Sequence, residues 1–182
     1  AIALRAAGFK VEMVWHKEAR LPKRIDLVTI PGGFSFGDYL RCGAIAAKSP
    51  ICQSVIEHAK CGGFVLGVCN GFQVLAETGL LPGALIRNSN LKFLCKDVDL
   101  KVQLSSSSFT SGYYQGQMIS LPIAHHDGNY RLGAEGVKRL WDQDRIAFTY
   151  QSNPNGSVDN IAGVLSENKR IMGLMPHPER AV

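Results

Sequence analysis

Apolar runs and helical periodicity alternate along the first half of the chain, and period-two patterns take over in the second. Residues 1–7 read as a helix stopped by Gly8, and residues 10–15 read as a strand. A second strand, 25–30, ends sharply at Pro31-Gly32-Gly33. Helical segments follow at 43–47 and 51–60, the latter opened by Ser49 as N-cap and Pro50 at the first helical position. Residues 62–68 form a strand that runs straight into a helix over 70–78, with Gly79 near its C-cap. Strand and helix alternating at this spacing predict a parallel sheet covered on both faces. Beyond it, Val98, Leu100, Val102 and Leu104 alternate with polar residues as a half-buried strand over 98–104, and 105–112 is a polar loop. Further strands are expected at 118–124, 145–150, 161–165 and 171–175. Asn153-Pro154-Asn155-Gly156-Ser157 marks a turn, and 166–169 closes a hairpin between the last two strands. The pattern is that of one mixed α/β domain with antiparallel additions.

Composition narrows the function. The 182 residues suffice for one domain with a real core, and 46% apolar with 19% charged residues is ordinary globular usage. The net charge of +5 comes without a Lys/Arg run or a basic stripe with interleaved aromatics, so nucleic-acid binding has no support. No stretch approaches a membrane span, and no signal peptide opens the sequence. The cysteines Cys42, Cys52, Cys61, Cys69 and Cys95 are odd in number and form no CxxC pair. The histidines His16, His58, His125, His126 and His177 show no metal-ligand spacing. No metal site is expected, and reduced thiols point to the cytoplasm.

Three constellations carry chemistry. The first is Gly67-Val68-Cys69-Asn70-Gly71, where a strand delivers a cysteine flanked by glycines to the start of a helix. That is how a nucleophile is lifted onto a tight strand-to-helix turn, and the helix N-terminus favours the thiolate. The second is Met175-Pro176-His177-Pro178-Glu179-Arg180. A residue before proline is pushed towards extended backbone, so His177 and Glu179 should share one side of an extended segment. There the carboxylate would orient the imidazole. The third is the Pro31-Gly32-Gly33-Phe34 turn after a strand, whose backbone N–H groups can hold an oxyanion together with the N–H of Asn70. All three fall at the carboxyl ends of expected strands. They supply a nucleophile, a base with its orienting acid, and oxyanion donors, which is the inventory for acyl transfer through a thioester.

The motifs GVCNGFQ (67–73), PGGFSFGDYLRCGAIAA (31–47), LLPGALIRN (80–88), HHDGNY (125–130), NPNGS (153–157) and MPHPER (175–180) resemble, in order, those of a class I (triad) glutamine amidotransferase. The resemblance covers nearly the whole chain. It is narrowest to the glutaminase subunits of bacterial phosphoribosylformylglycinamidine synthases, in which Asn follows the cysteine. It implies an open, mostly parallel sheet with helices on both faces, flavodoxin-like, with antiparallel additions. It also implies a single domain over 1–182 that lacks the family's first strand and C-terminal helix.

Carried over by position, Cys69 is the nucleophile, His177 the acid/base and Glu179 its orienting carboxylate. Gly33 and Asn70 are the oxyanion donors. Phe34, Gln73, His125, Asp127 and Gly128 contact glutamine. His126-Asp127 stands where many members have Gly-Glu. The implied partners are a large synthetase subunit and a small bridging subunit, with Leu40-Arg41-Cys42 as a docking surface. ATP and magnesium are expected on the large subunit, none on this chain. Glutaminase activity is expected to be low without the partner. The alternatives are a glutaminase domain of another amidotransferase, a protease- or chaperone-like relative with the same cysteine elbow, and a scaffold that has lost activity.

Overall fold

The structure, a computed structural model, describes residues 1–33, 41 and 43–181. Phe34, Leu40 and Cys42 therefore lie outside the described residues. The chain runs α1 (Ile2–Ala6), β1 (Leu27–Ile30), α2 (Pro50–Lys60), β2 (Phe64–Val68), α3 (Asn70–Glu77), β3 (Ala84–Ile86), β4 (Leu94–Val102) and β5 (Met118–His125). It continues with β6 (Asn129–Arg131), α4 (Ala134–Asp142), β7 (Ile146–Tyr150), β8 (Ile161–Leu165) and β9 (Ile171–Leu174). Seven strands form one sheet in the order β1-β2-β9-β8-β7-β4-β5, and β3 pairs with β6 in a separate antiparallel ribbon.

The pairing directions decide where function can sit. β1, β2 and β9 are parallel neighbours, and each later step across the sheet is antiparallel. Followed through, β1, β2, β9, β7 and β5 all point the same way, while β8 and β4 run against them. The segments that leave those five strands therefore emerge at one edge. They are the ones carrying Gly32, Cys69, His177, Tyr150 and the 125–128 turn.

Helix α3 lies against this sheet with no clearance. Ile30, Gly67 and Gly173 sit side by side across β1, β2 and β9. A Cβ on Gly67 would stand 2.6 Å from Leu75 Cδ1, and one on Gly173 would stand 2.2 Å from Phe72 Cδ2. On the helix itself, a Cβ at Gly71 would come within 2.0 Å of the Ile30 carbonyl oxygen. Glycine at these positions lets Phe72 and Leu75 reach the sheet and bury completely. Phe72 also stacks on Tyr130 at 5.7 Å between ring centroids. The Tyr130 hydroxyl donates to Pro82 O at 2.7 Å, which joins the β3–β6 ribbon to the same core.

Some expectations change. Residues 10–15 pair with no strand of the described sheet; the alternation is there, but a strand also needs a neighbour's hydrogen bonds. The helix expected over 43–47 is a turn followed by a 3-10 segment, Ala46–Lys48, ended by extended Ser49. The strand expected over 98–104 is longer at its start and spans Leu94–Val102. Helix α4 was not anticipated, although Val137 and Leu140 bury one face of it.

Candidate active site

Cys69 follows β2 and is the N-cap of α3. Its backbone has φ +52 and ψ −106, a conformation that non-glycine residues adopt only under constraint. The constraint is visible on both sides. Cys69 N donates to Leu174 O at 2.8 Å, while Cys69 O accepts from Phe72 N and Gln73 N in the first turn of α3. The thiol is buried, with Sγ 3.8 Å from Ala124 O, and it takes no part in a disulfide. Its place at the end of α3 puts sulfur where the helix favours negative charge.

His177 is buried beside it. A Cβ built on Gly32 would lie 2.9 Å from His177 Cε1 and 3.2 Å from Cys69 Cβ, so these two side chains face each other across Gly32. Position 32 has no room for a larger residue. Gly33, by contrast, is exposed, with φ +140 and open space around it. His177 N donates to Pro122 O at 2.8 Å, and the ring shares a 2.7 Å hydrogen bond between Nδ1 and Glu179 Oε1. Among the described residues, buried His177 Nε2 has no hydrogen-bond partner. The backbone differs from expectation: Pro178–Arg180 is a 3-10 turn, not an extended segment. Proline at the first helical position favours that turn, which folds the carboxylate back onto the ring. Partial burial pushes the Glu179 carboxyl up. The hydrogen bond with His177 and its own backbone bond outweigh that and hold it below the usual value.

The segment after β5 is held by buried polar contacts that the sequence did not announce. Asn88 Oδ1 accepts from Gly128 N at 3.1 Å and shares a 3.0 Å bond with His125 Nδ1. Its amide nitrogen donates to the carbonyls of Lys92 and His125. Asn155 Nδ2 and Ser157 Oγ both donate to Gly128 O, and Ser157 Oγ accepts from Tyr130 N. The NPNGS turn thus clamps the 125–128 turn. Its run of small polar residues was the signal, but nothing local says where those side chains point. Gly128 lies so close on the His125 ring that a Cβ there would be 2.3 Å from Cε1.

Gln73 bridges the two halves. Its Oε1 accepts from Asn70 Nδ2, and its Nε2 donates to Asp127 O at 2.7 Å. The Asp127 carboxylate lies 3.6 Å from Arg87 Nε. Burial drives the His125 pKa down to about 4, with the His177 charge acting the same way. Tyr150 is completely buried at the end of β7, and burial holds its pKa above the ordinary value against the opposing effect of a side-chain hydrogen bond with Asn155. The sequence marked Gly32 only as part of the oxyanion turn, and it did not single out Tyr150.

A family model for the CobB/CobQ-like glutamine amidotransferase domain matches residues 1–182. The subunit PurQ of phosphoribosylformylglycinamidine synthase from Ruegeria sp. (strain TM1040) is 64% identical over 181 residues, covering 100% of this chain and 82% of that protein. The chain belongs to the PurQ branch of the CobB/CobQ-like glutamine amidotransferases. A solved structure of PurLQS from Thermotoga maritima matches with TM-score 0.82 and 44% identity, over 90% of this chain and 73% of that one. A Thermotoga maritima glutamine amidotransferase at 20% identity, TM-score 0.59, shares the amidotransferase fold over 95% of this chain and 61% of that one. Among the described residues, no three His, Cys, Asp or Glu side chains are gathered as metal donors. Among the described residues, no helix is long and apolar enough to cross a membrane.

Proposed function

We propose that Cys69, His177 and Glu179 hydrolyse glutamine to glutamate and ammonia for a phosphoribosylformylglycinamidine synthase, of which this chain is the glutaminase subunit. The observation that carries the proposal is Cys69 on its positive-φ turn, facing His177 across Gly32, with Glu179 on the far nitrogen of the ring. The Cys69 thiolate attacks the side-chain carboxamide carbon of glutamine. The oxyanion forms against the backbone N–H groups of Gly33 and Asn70. His177, protonated at Nε2, gives that proton to nitrogen as the C–N bond breaks, and ammonia leaves. Water then loses a proton to His177 Nε2 and attacks the thioester. The C–S bond breaks, and glutamate and the thiolate are released. Glu179 steadies the imidazolium in both halves.

Gln73, His125, Asp127 and Gly128 line the glutamine pocket; the role of Phe34, which lies outside the described residues, rests on the resemblance alone. ATP and magnesium belong to the large synthetase subunit, which takes up the ammonia. A small third subunit bridges the two, as the PurLQS assembly of the Thermotoga maritima relative suggests. Cytoplasmic purine biosynthesis is the setting. The whole span 1–182 acts as one glutaminase domain.

The test is labelling with 6-diazo-5-oxo-norleucine, read by intact mass and peptide mapping, with Cys69→Ala as control and the large subunit added in a second arm. A single adduct on Cys69, enhanced by the partner, is the expected result. No adduct in either arm, from protein shown to be folded, would overturn the assignment.

A further inference from the structure

A groove of about 910 Å³ opens at the edge of the sheet opposite Cys69. β2, β7 and β9 begin at that edge and β8 ends there. Arg145, Ser166 and Ile171 line the groove from these strand ends. Helix α4 lines it as well, together with the end of α2 and the turn after α3. Its size is that of a small-molecule site. Half-buried Leu80, Pro82 and Leu132 make part of the lining apolar. The charged lining is Lys60, Arg139 and Arg145 against Glu135 and Glu167.

Arg145 points to a ligand. Among the described residues it is the one Lys, Arg, Asp or Glu that is buried, at 7% exposed. A buried guanidinium is costly unless its donors and its charge are both met. Nε donates to Leu165 O at 2.9 Å, and Nη1 donates to Gln143 Oε1 at 3.1 Å. The counter-charge is poor: Glu167 Oε1 stands 3.6 Å from Nη1, on a side chain that is 79% exposed. Nη2 has no hydrogen-bond partner among the described residues, and it is not one of the polar atoms sealed from solvent. Because Arg145 lines the groove, the donors on Nη2 open into it. Burial pulls the pKa of this guanidinium down; Glu167 and Tyr130 oppose that, and the like charge of Arg139 adds to it.

We propose that the groove binds a phosphate monoester with a flat apolar body, its phosphate on Arg145 Nη2 and its body on Leu80, Pro82 and Leu132. A phosphate has three terminal oxygens and nearly two charges, so it accepts from Nη2 while offsetting Arg139 and Lys60. A carboxylate brings two oxygens and one charge, which Glu167 already offers to Arg145. Helix α4 starts at the same groove with Gly133 as its N-cap and no side-chain cap, which adds to the preference for an anion. Glu135 in that first turn offsets part of the preference. The site uses no residue from the cysteine's edge and stands apart from the glutaminase reading.

The test is calorimetric titration of the full chain with phenyl phosphate, with inorganic phosphate and benzoate as separate arms. We expect one site per chain. Phenyl phosphate should bind about tenfold more tightly than inorganic phosphate, because its ring leaves water for the apolar lining. It should also bind more tightly than benzoate. Glu167→Gln removes the competing carboxylate and should tighten binding about two- to fivefold. Arg139→Gln should weaken it by a similar factor. Arg145→Lys keeps a charge but loses the fork, and should weaken binding about tenfold. Its thermal midpoint shows whether it folds, and the two exposed variants decide the matter if it does not. No saturable binding would overturn the proposal. Inorganic phosphate or benzoate binding as tightly would overturn it too, as would an affinity that either exposed variant leaves unchanged.

Discussion

His125 is the residue at which proton balance and stability meet. Its pKa drops from 6.5 to about 4 in the folded chain, so the unfolded chain binds the extra proton between those values. Stability contributed by this group is full above pH 6.5 and is lost as pH falls towards 4, with a slope approaching about 1.4 kcal/mol per pH unit. Glu179, whose pKa is lowered, adds a loss of the same sign at more acidic pH. Urea midpoints measured at pH 7 and pH 5 should therefore fall for the unaltered chain and fall less for His125→Asn. Parallel shifts in the two proteins would show that His125 does not carry the effect. The sequence named His125 but not what governs it, because Asn88 lies 37 residues away and only the fold brings its amide to the ring. Cys69 was legible for the opposite reason: its glycines, its strand and its helix are all local. His177 and Glu179 were legible as neighbours even though the backbone between them turns where extension was expected.

At the scale of elements, the seating of α3 on the sheet sets the position of Cys69. Gly71→Ala places a methyl 2.0 Å from the Ile30 carbonyl, a backbone atom that cannot swing aside. Overpacking of this kind costs on the order of 3 kcal/mol. The measurable outcome is a lower thermal midpoint together with slower alkylation of Cys69, because lifting α3 moves the cysteine with it. An unchanged midpoint would mean that the helix has slack that these distances do not allow. Strand signals were readable along most of the chain, and the hairpin over 166–169 stands between β8 and β9 as expected. Helix α4 escaped because Gly133 and Gly136 interrupt its pattern, although Val137 and Leu140 at a spacing of three mark its buried face. Residues 10–15 show the reverse error. Alternation reports which side of a strand is apolar, and it is silent on whether another strand lies alongside.

Across the whole molecule, the sheet gathers from five strand ends what the sequence spreads between Gly32 and Glu179. Parallel neighbours carry Cys69 and His177, the proposed nucleophile and base, and the antiparallel extension brings β5 and β7 to the same edge. Fold class could be read from the alternation of elements. The order of strands could not, since β9, last in the chain, inserts beside β2. The glycine seam at Gly67, Gly71 and Gly173 has one more consequence. A helix packed with no clearance cannot slide, so the cysteine is the fixed jaw of a vice, faced among the described residues by the segments at 31–33 and 125–128. On the proposed function, a synthetase subunit that switches on hydrolysis acts through the segments facing the cysteine. Hydrogen exchange should therefore slow in 125–131 when the partner binds and stay constant in the amides of α3; protection spreading through α3 instead would mean that the vice closes from the cysteine's side.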